Sequence, residues 1–262
     1  MDPVFQLSKI SKTYPKLLGE SLQTGRENVL SDVTLSLEKG EIYGFVGLNG
    51  AGKTTCLKIA LGLVKPDKGT VNWFGKPLDE VDLSRIGFSP EKPSFYDFLT
   101  GEEVLDFGSR LLGITPTPEN KKRVLTLTGL WGDHQKRVGS FSKGMQQRLA
   151  LAAAMLHEPD VYILDEPSSG LDPIGRKMIK NLIKDLKNEG RTIFFSTHIL
   201  SDVHEICDRI GVIHAGKMVF EGTLEAFNPQ RVDLEKRFVD LIGAPASENE
   251  IRPQKEHVSN ER

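Results

Sequence analysis

The chain has 262 residues, 38% hydrophobic and 27% charged, with 34 Lys+Arg against 36 Asp+Glu. This globular balance has room for one large domain or two small ones and excludes a disordered chain, and a formal net charge of -2 supplies no basic excess for a nucleic-acid partner,. No uninterrupted apolar run approaches the roughly 18–20 residues that cross a bilayer. Cys56 and Cys207 are too few for a disulfide framework or metal cluster, and residues 1–5 carry neither a basic n-region nor an apolar h-region, so the expectation is a soluble chain in a reducing cytosol,.

In chain order, a surface excursion is expected at 15–28, which contains Gly, Ser, Thr, Asn and Pro,. Short β-branched and aromatic runs at 33–37, 42–46, 71–74 and 85–88 predict strands,. From about 91 to 157 the strands stop and helical segments follow one another. Thr100 with Glu103 forms a capping box ahead of Val104, Leu105 and Phe107,. Thr117-Pro118 pairs a cap with proline at the first helical position, and 143–157 is dense in Ala and Leu,. Strands resume at 161–164, 192–195, 210–214 and 218–220. The first two are apolar or β-branched throughout, as expected of strands buried on both faces,. Leu234, Phe238, Leu241 and Ile242 recur at helical spacing, and the polar stretch 244–262 reads as a mobile tail,. The pattern is that of one α/β domain over 1–243, with a helical subdomain at 91–157 inserted into a core whose sheet is mostly parallel.

The run 42–46 leads directly into Gly47-Leu48-Asn49-Gly50-Ala51-Gly52-Lys53-Thr54-Thr55, which fits G-x-x-x-x-G-K-[ST],. A nucleoside triphosphate carries several negative charges, and a loop holds them only when backbone N–H groups converge. Glycines allow that approach, and the helix that follows turns its positive end toward the phosphates. Asn49, Gly50, Ala51, Gly52, Lys53, Thr54 and Thr55 are therefore the expected phosphate-binding residues, with Lys53 reaching the β and γ phosphates and the Thr54 hydroxyl ligating Mg²⁺. A chain of this length meets the pattern by accident about 1% of the time. A strand before the loop and a helix after it make accident rarer still.

Val161-Tyr162-Ile163-Leu164 delivers Asp165-Glu166-Pro167 at the C-terminal end of a buried strand, where ligands of an open parallel sheet sit,. Asp165 suits holding Mg²⁺, and Glu166 suits polarising the water that attacks the γ-phosphate.

With these residues in place, the chain resembles the nucleotide-binding subunit of an ATP-binding cassette (ABC) transporter. Ser140-Phe141-Ser142-Lys143-Gly144-Met145-Gln146-Gln147-Arg148 resembles the family's signature sequence, Gly170-Leu171-Asp172 its D-loop, and Phe194-Phe195-Ser196-Thr197-His198 its strand and switch histidine. Tyr14 resembles the aromatic that stacks on adenine. The resemblance implies a P-loop NTPase core with a mostly parallel sheet, an antiparallel β portion and an inserted helical subdomain. It also implies ATP and Mg²⁺, with Glu166 and His198 as catalytic groups. Ser142, Lys143, Gly144 and Met145 would complete the nucleotide site of the opposite subunit in a head-to-tail homodimer, or in a heterodimer with a related cassette. Further implied partners are integral membrane permease subunits, met along the segment 91–107, and a place on the inner face of the cell membrane. The competing expectation is a soluble ABC ATPase acting on ribosomes or DNA. The single cassette, the short insertion and the lack of basic excess count against it.

Three departures mark this chain. Glu91 stands where the family usually has the glutamine that joins core and helical subdomain; it can ligate Mg²⁺ but adds negative charge beside the phosphates,. Phe141, Lys143 and Met145 replace the commoner leucine, glycine and glutamine, a form similar to the branch that exports drugs, lipids or polysaccharides or serves secretion and motility. The third is the length of 15–28.

Overall fold

The computed structural model describes residues 3–18, 21–229 and 233–243, so the tail expected over 244–262 lies outside the described residues. Strands β1 (Phe5–Leu18) and β2 (Ser21–Leu37) are followed by β3 (Ile42–Val46), helix α1 (Lys53–Ala60), β4 (Lys68–Trp73), β5 (Lys76–Pro77) and β6 (Ile86–Ser89). Helices α2 (Gly101–Leu111), α3 (Pro118–Leu127) and α4 (Lys143–Met155) come next. The chain then alternates through β7 (Val161–Asp165), α5 (Pro173–Asn188), β8 (Thr192–Thr197), α6 (Leu200–Ile206) and β9 (Arg209–His214), and continues with β10 (Lys217–Thr223), α7 (Leu224–Phe227) and α8 (Leu234–Ile242).

The main sheet runs β10-β9-β3-β8-β7-β6, parallel throughout except for β10 at its edge. A second, antiparallel sheet runs β2-β1-β4-β5. The α/β expectation with an antiparallel portion is therefore met.

The strict alternation of strand side chains explains why the main-sheet runs are apolar without a break. Tyr43, Phe45, Val161, Ile163 and Phe194 face the antiparallel sheet and α1, whereas Ile42, Val46, Tyr162, Leu164, Ile193 and Phe195 face the helices on the other side. Phe194 centres the first layer: its ring lies 5.2 Å from Tyr43, 5.5 Å from Phe45 and 6.2 Å from Phe5. Trp73 stacks on Phe5 and donates its indole N–H to Ala60 O at 2.8 Å, tying α1 to the antiparallel sheet.

The caps read from sequence form as hydrogen bonds. Thr100 Oγ1 accepts from Glu103 N at 3.2 Å while Glu103 Oε2 accepts from Thr100 N at 2.8 Å. Thr117 Oγ1 accepts from Asn120 N at 3.2 Å. Lys121 joins α3 to α2 through Glu102 and Asp106.

Where the excursion is expected, residues 15–18 and 21–28 are strand. Thr13 pairs with Asn28, Tyr14 with Glu27 and Pro15 with Arg26, and the ladder continues to Leu18 and Ser21. Backbone pairing needs no apolar side chains, so a turn-like composition does not end it; Pro15 lies beside a register shift, where a missing N–H is tolerated,. The rest of β1 lacks a sequence signal because it is bulged. Phe5, Leu7 and Ile10 are all buried, but the phase slips at Lys9, whose φ is 54°,.

Candidate functional site

In the main sheet β8 lies between β3 and β7, so the segments that follow these three strands converge at one sheet edge,. The phosphate loop comes from β3, Asp165 and Glu166 from β7, and His198 from β8.

Two positive-φ glycines shape the loop. Gly50 has φ 80°, and Gly52, the N-cap of α1, has φ 109°; a Cβ on Gly52 would stand 2.6 Å from Leu30 Cδ2,. The loop bounds a cavity of about 590 Å³. Leu48, Asn49, Gly50, Gly52, Lys53, Thr54 and Thr55 line it together with Glu166, Ser169 and His198, Glu91 and Lys92, and Glu27 and Val29 of β2. Ala51 is buried within the loop and does not line the cavity.

Lys53 is 6% exposed, and its ammonium donates to Gly47 O at 2.7 Å. Its Nζ lies 3.1 Å from Glu166 Oε1, an ion pair that lacks hydrogen-bond alignment. The other carboxylate oxygen of Glu166 meets His198 Nδ1 at 2.9 Å. Glu166 itself is 6% exposed and lies at φ 49°, a left-handed conformation that strains a non-glycine residue and that turns its side chain off the strand into the cavity,. Asp165 is 3% exposed and stands behind the loop, where its Oδ2 accepts from Thr54 Oγ1 at 3.0 Å.

These donors fit a hard cation. A threonine hydroxyl, a carboxylate holding it from behind and Glu91 across the cavity form an all-oxygen set with few protein ligands, which suits Mg²⁺ shared with substrate phosphates,. Among the described residues no group of three or more His, Cys, Asp and Glu is placed to hold a metal alone.

The structure does not bring every expected residue to this cavity. Ser142 caps α4 by accepting from Met145 N at 3.2 Å. Ser142, Lys143 and Gly144 open instead onto a separate cleft of about 450 Å³ with Arg148, Ile174 and Gly170-Leu171-Asp172. Met145 packs partly buried against the core. Tyr14 does not line the cavity; it stands opposite Glu27 in the ladder, and residues paired across antiparallel strands share a face, so its ring lies on the cavity side of the hairpin,. Lys12 Nζ sits 5.5 Å from that ring.

Sequence reasoning missed the cavity residues Glu27, Val29, Lys92 and Ser169, and also Ser196, which is buried outside the cavity with its hydroxyl touching both acidic residues. Only Ser196 left a signal, a serine directly after the apolar run Ile193-Phe194-Phe195. Burial pushes the thiols of Cys56 and Cys207 well up from the usual cysteine value, so neither is primed as a nucleophile,.

Residues 30–169 match the family model described as ABC transporter. The bacitracin transport ATP-binding protein of Bacillus licheniformis is 44% identical over 206 residues, which are 75% of this chain and 65% of that protein. An ABC transporter ATP-binding protein of Bacillus subtilis (strain 168) is 40% identical over 249 residues, 92% of this chain and 75% of the relative. An ABC transporter ATP-binding protein of Synechocystis is 43% identical over 201 residues, 74% of this chain but only 56% of its own length. A solved structure of the ATP binding subunit of an ABC transporter superposes with a TM-score of 0.77 at 31% identity, covering 91% of this chain and 99% of that one.

Proposed function

We propose that this chain, which belongs to the ABC transporter family, is an ATP-binding and ATP-hydrolysing subunit that powers transport through separate membrane subunits. The observation that carries the reading is the line Lys53–Glu166–His198 in the cavity that the phosphate loop bounds.

The loop N–H groups of residues 50–55 and the N-terminus of α1 bind the phosphates, and Lys53 moves its charge onto the β and γ phosphoryl oxygens. Thr54, Asp165 and Glu91 would hold Mg²⁺, which would supply positive charge to balance the phosphate oxygens. Glu166 Oε2 takes a proton from the attacking water, and His198, already 2.9 Å from that carboxylate, orients it,. Tyr14 and the Glu27 face of the hairpin border the nucleoside.

Ser142, Lys143 and Gly144 lie in a cleft that contains no phosphate-loop residue. Two chains arranged head to tail bring that cleft to the partner's cavity, so each ATP is held between subunits. Residues 1–243 act as one cassette, and the 91–157 helices move with the signature on closure. Among the described residues no helix is long and apolar enough to cross a membrane. Permease subunits would supply the path across the membrane, and the exposed Tyr96, Phe98 and Phe107 on the 91–107 segment support that contact,. Relatives named for bacitracin transport and lantibiotic transport support a transporter role, and the Ser-Lys-Gly-Met signature favours export. The setting is the cytoplasmic face of the membrane.

The purified chain is expected to hydrolyse ATP in Mg²⁺ and to stop when Mg²⁺ is chelated. Absence of any ATP binding by the wild-type chain overturns the reading.

A further inference from the structure

Ser196 is fully buried on β8, paired in register with Asp165 of β7. Its Oγ donates to Asp165 Oδ1 at 2.5 Å and accepts from Glu166 N at 3.0 Å. An O–H···O⁻ contact of that length is a charge-assisted bond, stronger than one between neutral groups. Thr54 Oγ1 holds the other oxygen, Asp165 Oδ2, at 3.0 Å, so the carboxylate is clamped from both sides. Glu166 N is shared between Ser196 Oγ and Ser196 O, the latter at 3.2 Å. Both acceptors belong to one residue, and they fix a peptide whose φ of 49° persists only where its surroundings over-determine it,.

Packing does not require a hydroxyl here. The preceding Ile193, Phe194 and Phe195 are apolar and buried, and a hydroxyl in that setting costs desolvation unless it is bonded,. Its value lies in what it holds.

We propose that Ser196 is a positioning residue for both acidic groups of the site. Through Asp165 it fixes the orientation of the Thr54 hydroxyl, and hence the oxygens offered to Mg²⁺. Through the Glu166 peptide it fixes the direction in which the Glu166 carboxylate enters the cavity. The proposal rests on the ATPase reading above. Ser196 touches none of the loop N–H groups that receive phosphate, so its loss falls on the Mg²⁺-dependent state and on turnover rather than on phosphate binding itself.

The test uses Ser196→Ala in the full chain, with binding of a fluorescent ATP analogue measured in Mg²⁺ and in EDTA beside steady-state hydrolysis. Affinity in EDTA should stay within about twofold of wild type. The Mg²⁺ concentration that gives half-maximal tightening should rise about tenfold, the loss expected from a hydrogen bond to a charged group. The rate kcat should fall about tenfold or more while KM for ATP changes little. In the Asp165→Asn background the same substitution should leave Mg²⁺-dependent binding no weaker than Asp165→Asn alone, because both act through one carboxylate. Wild-type Mg²⁺ dependence in Ser196→Ala overturns the proposal. So does an equal loss of affinity in Mg²⁺ and in EDTA, misfolding included, since that assigns the hydroxyl to general packing. A wild-type chain that binds ATP and is unmoved by Ser196→Ala removes the positioning role and leaves the ATPase reading standing; a wild-type chain that binds no ATP removes both.

Discussion

Lys53 and Glu166 form a nearly buried ion pair, 6% and 7% side-chain exposed and 3.1 Å apart, and breaking it from either side has a calculable consequence. At that separation and an effective dielectric near 20 the attraction is about 5 kcal/mol; side-chain relaxation and water entering the open cavity reduce the measurable coupling to about 2 kcal/mol. Lys53→Ala leaves the buried Glu166 carboxylate with only His198 beside it and should cost about 3 kcal/mol of nucleotide-free stability,. Glu166→Gln leaves Lys53 its bond to Gly47 O and should cost about 1 kcal/mol,. The double variant should then lose about 2 kcal/mol rather than 4. For a chain of this size that is a fall of about 4–6 °C in Tm instead of about 8–12 °C. Urea unfolding of the four proteins without nucleotide gives the cycle directly. Binding is expected to behave differently: ATP affinity should drop at least about a hundredfold in Lys53→Ala and should not return in the double variant, because the phosphates need the cation itself. Additive stabilities, with coupling below about 0.5 kcal/mol, would refute the assignment of Glu166 as the partner of Lys53.

Phe194→Ala opens a hole among Tyr43, Phe45 and Phe5 and should cost about 3–5 kcal/mol, read as a lowered urea midpoint,; a loss under about 1 kcal/mol would contradict its central place in the layer. His157 is half-buried against Ile86 O, and burial holds its folded pKa below the ordinary histidine value. A depressed folded value means that this contribution to stability is full above about pH 6.5 and is lost as pH falls through the folded pKa. His157→Gln should therefore show a smaller loss of stability than wild type between pH 7.5 and pH 5.5, and an unchanged difference would count against the burial argument.

Legibility of the sequence followed burial geometry. Strands β3, β7 and β8 are buried on both faces, so their apolar runs were unbroken, and the motifs at the C-terminal ends of β3 and β7 stood out by contrast. Helix starts were legible because a cap is a local device: Thr100 and Glu103 meet within one turn. Strand β1 was hidden by bulges at which Lys9 and, across the pair, Asp32 adopt positive φ and reset the side-chain phase. The two-residue β5 is too short for any period to register. The site was legible where it is contiguous in sequence, from 47 to 55 and at Asp165-Glu166. Glu27 and Val29 escaped because they reach the cavity from a neighbouring sheet, across a fold that no local pattern announces. Ser142 and Gly144 present the opposite case. Sequence names them clearly, yet they line a cleft apart from the phosphate loop, and the proposed dimer is what would bring the two together.

The central claim, that Glu166 is the base in an ATP-hydrolysing cassette, is tested most directly by Glu166→Gln. The amide keeps the shape of the side chain and removes its basicity, so ATP should still bind in Mg²⁺ while kcat falls about a hundredfold or more. The slowed variant should accumulate as an ATP-bound dimer, seen as a doubling of mass by size-exclusion chromatography with light scattering. Hydrolysis at the wild-type rate in Glu166→Gln would contradict the account.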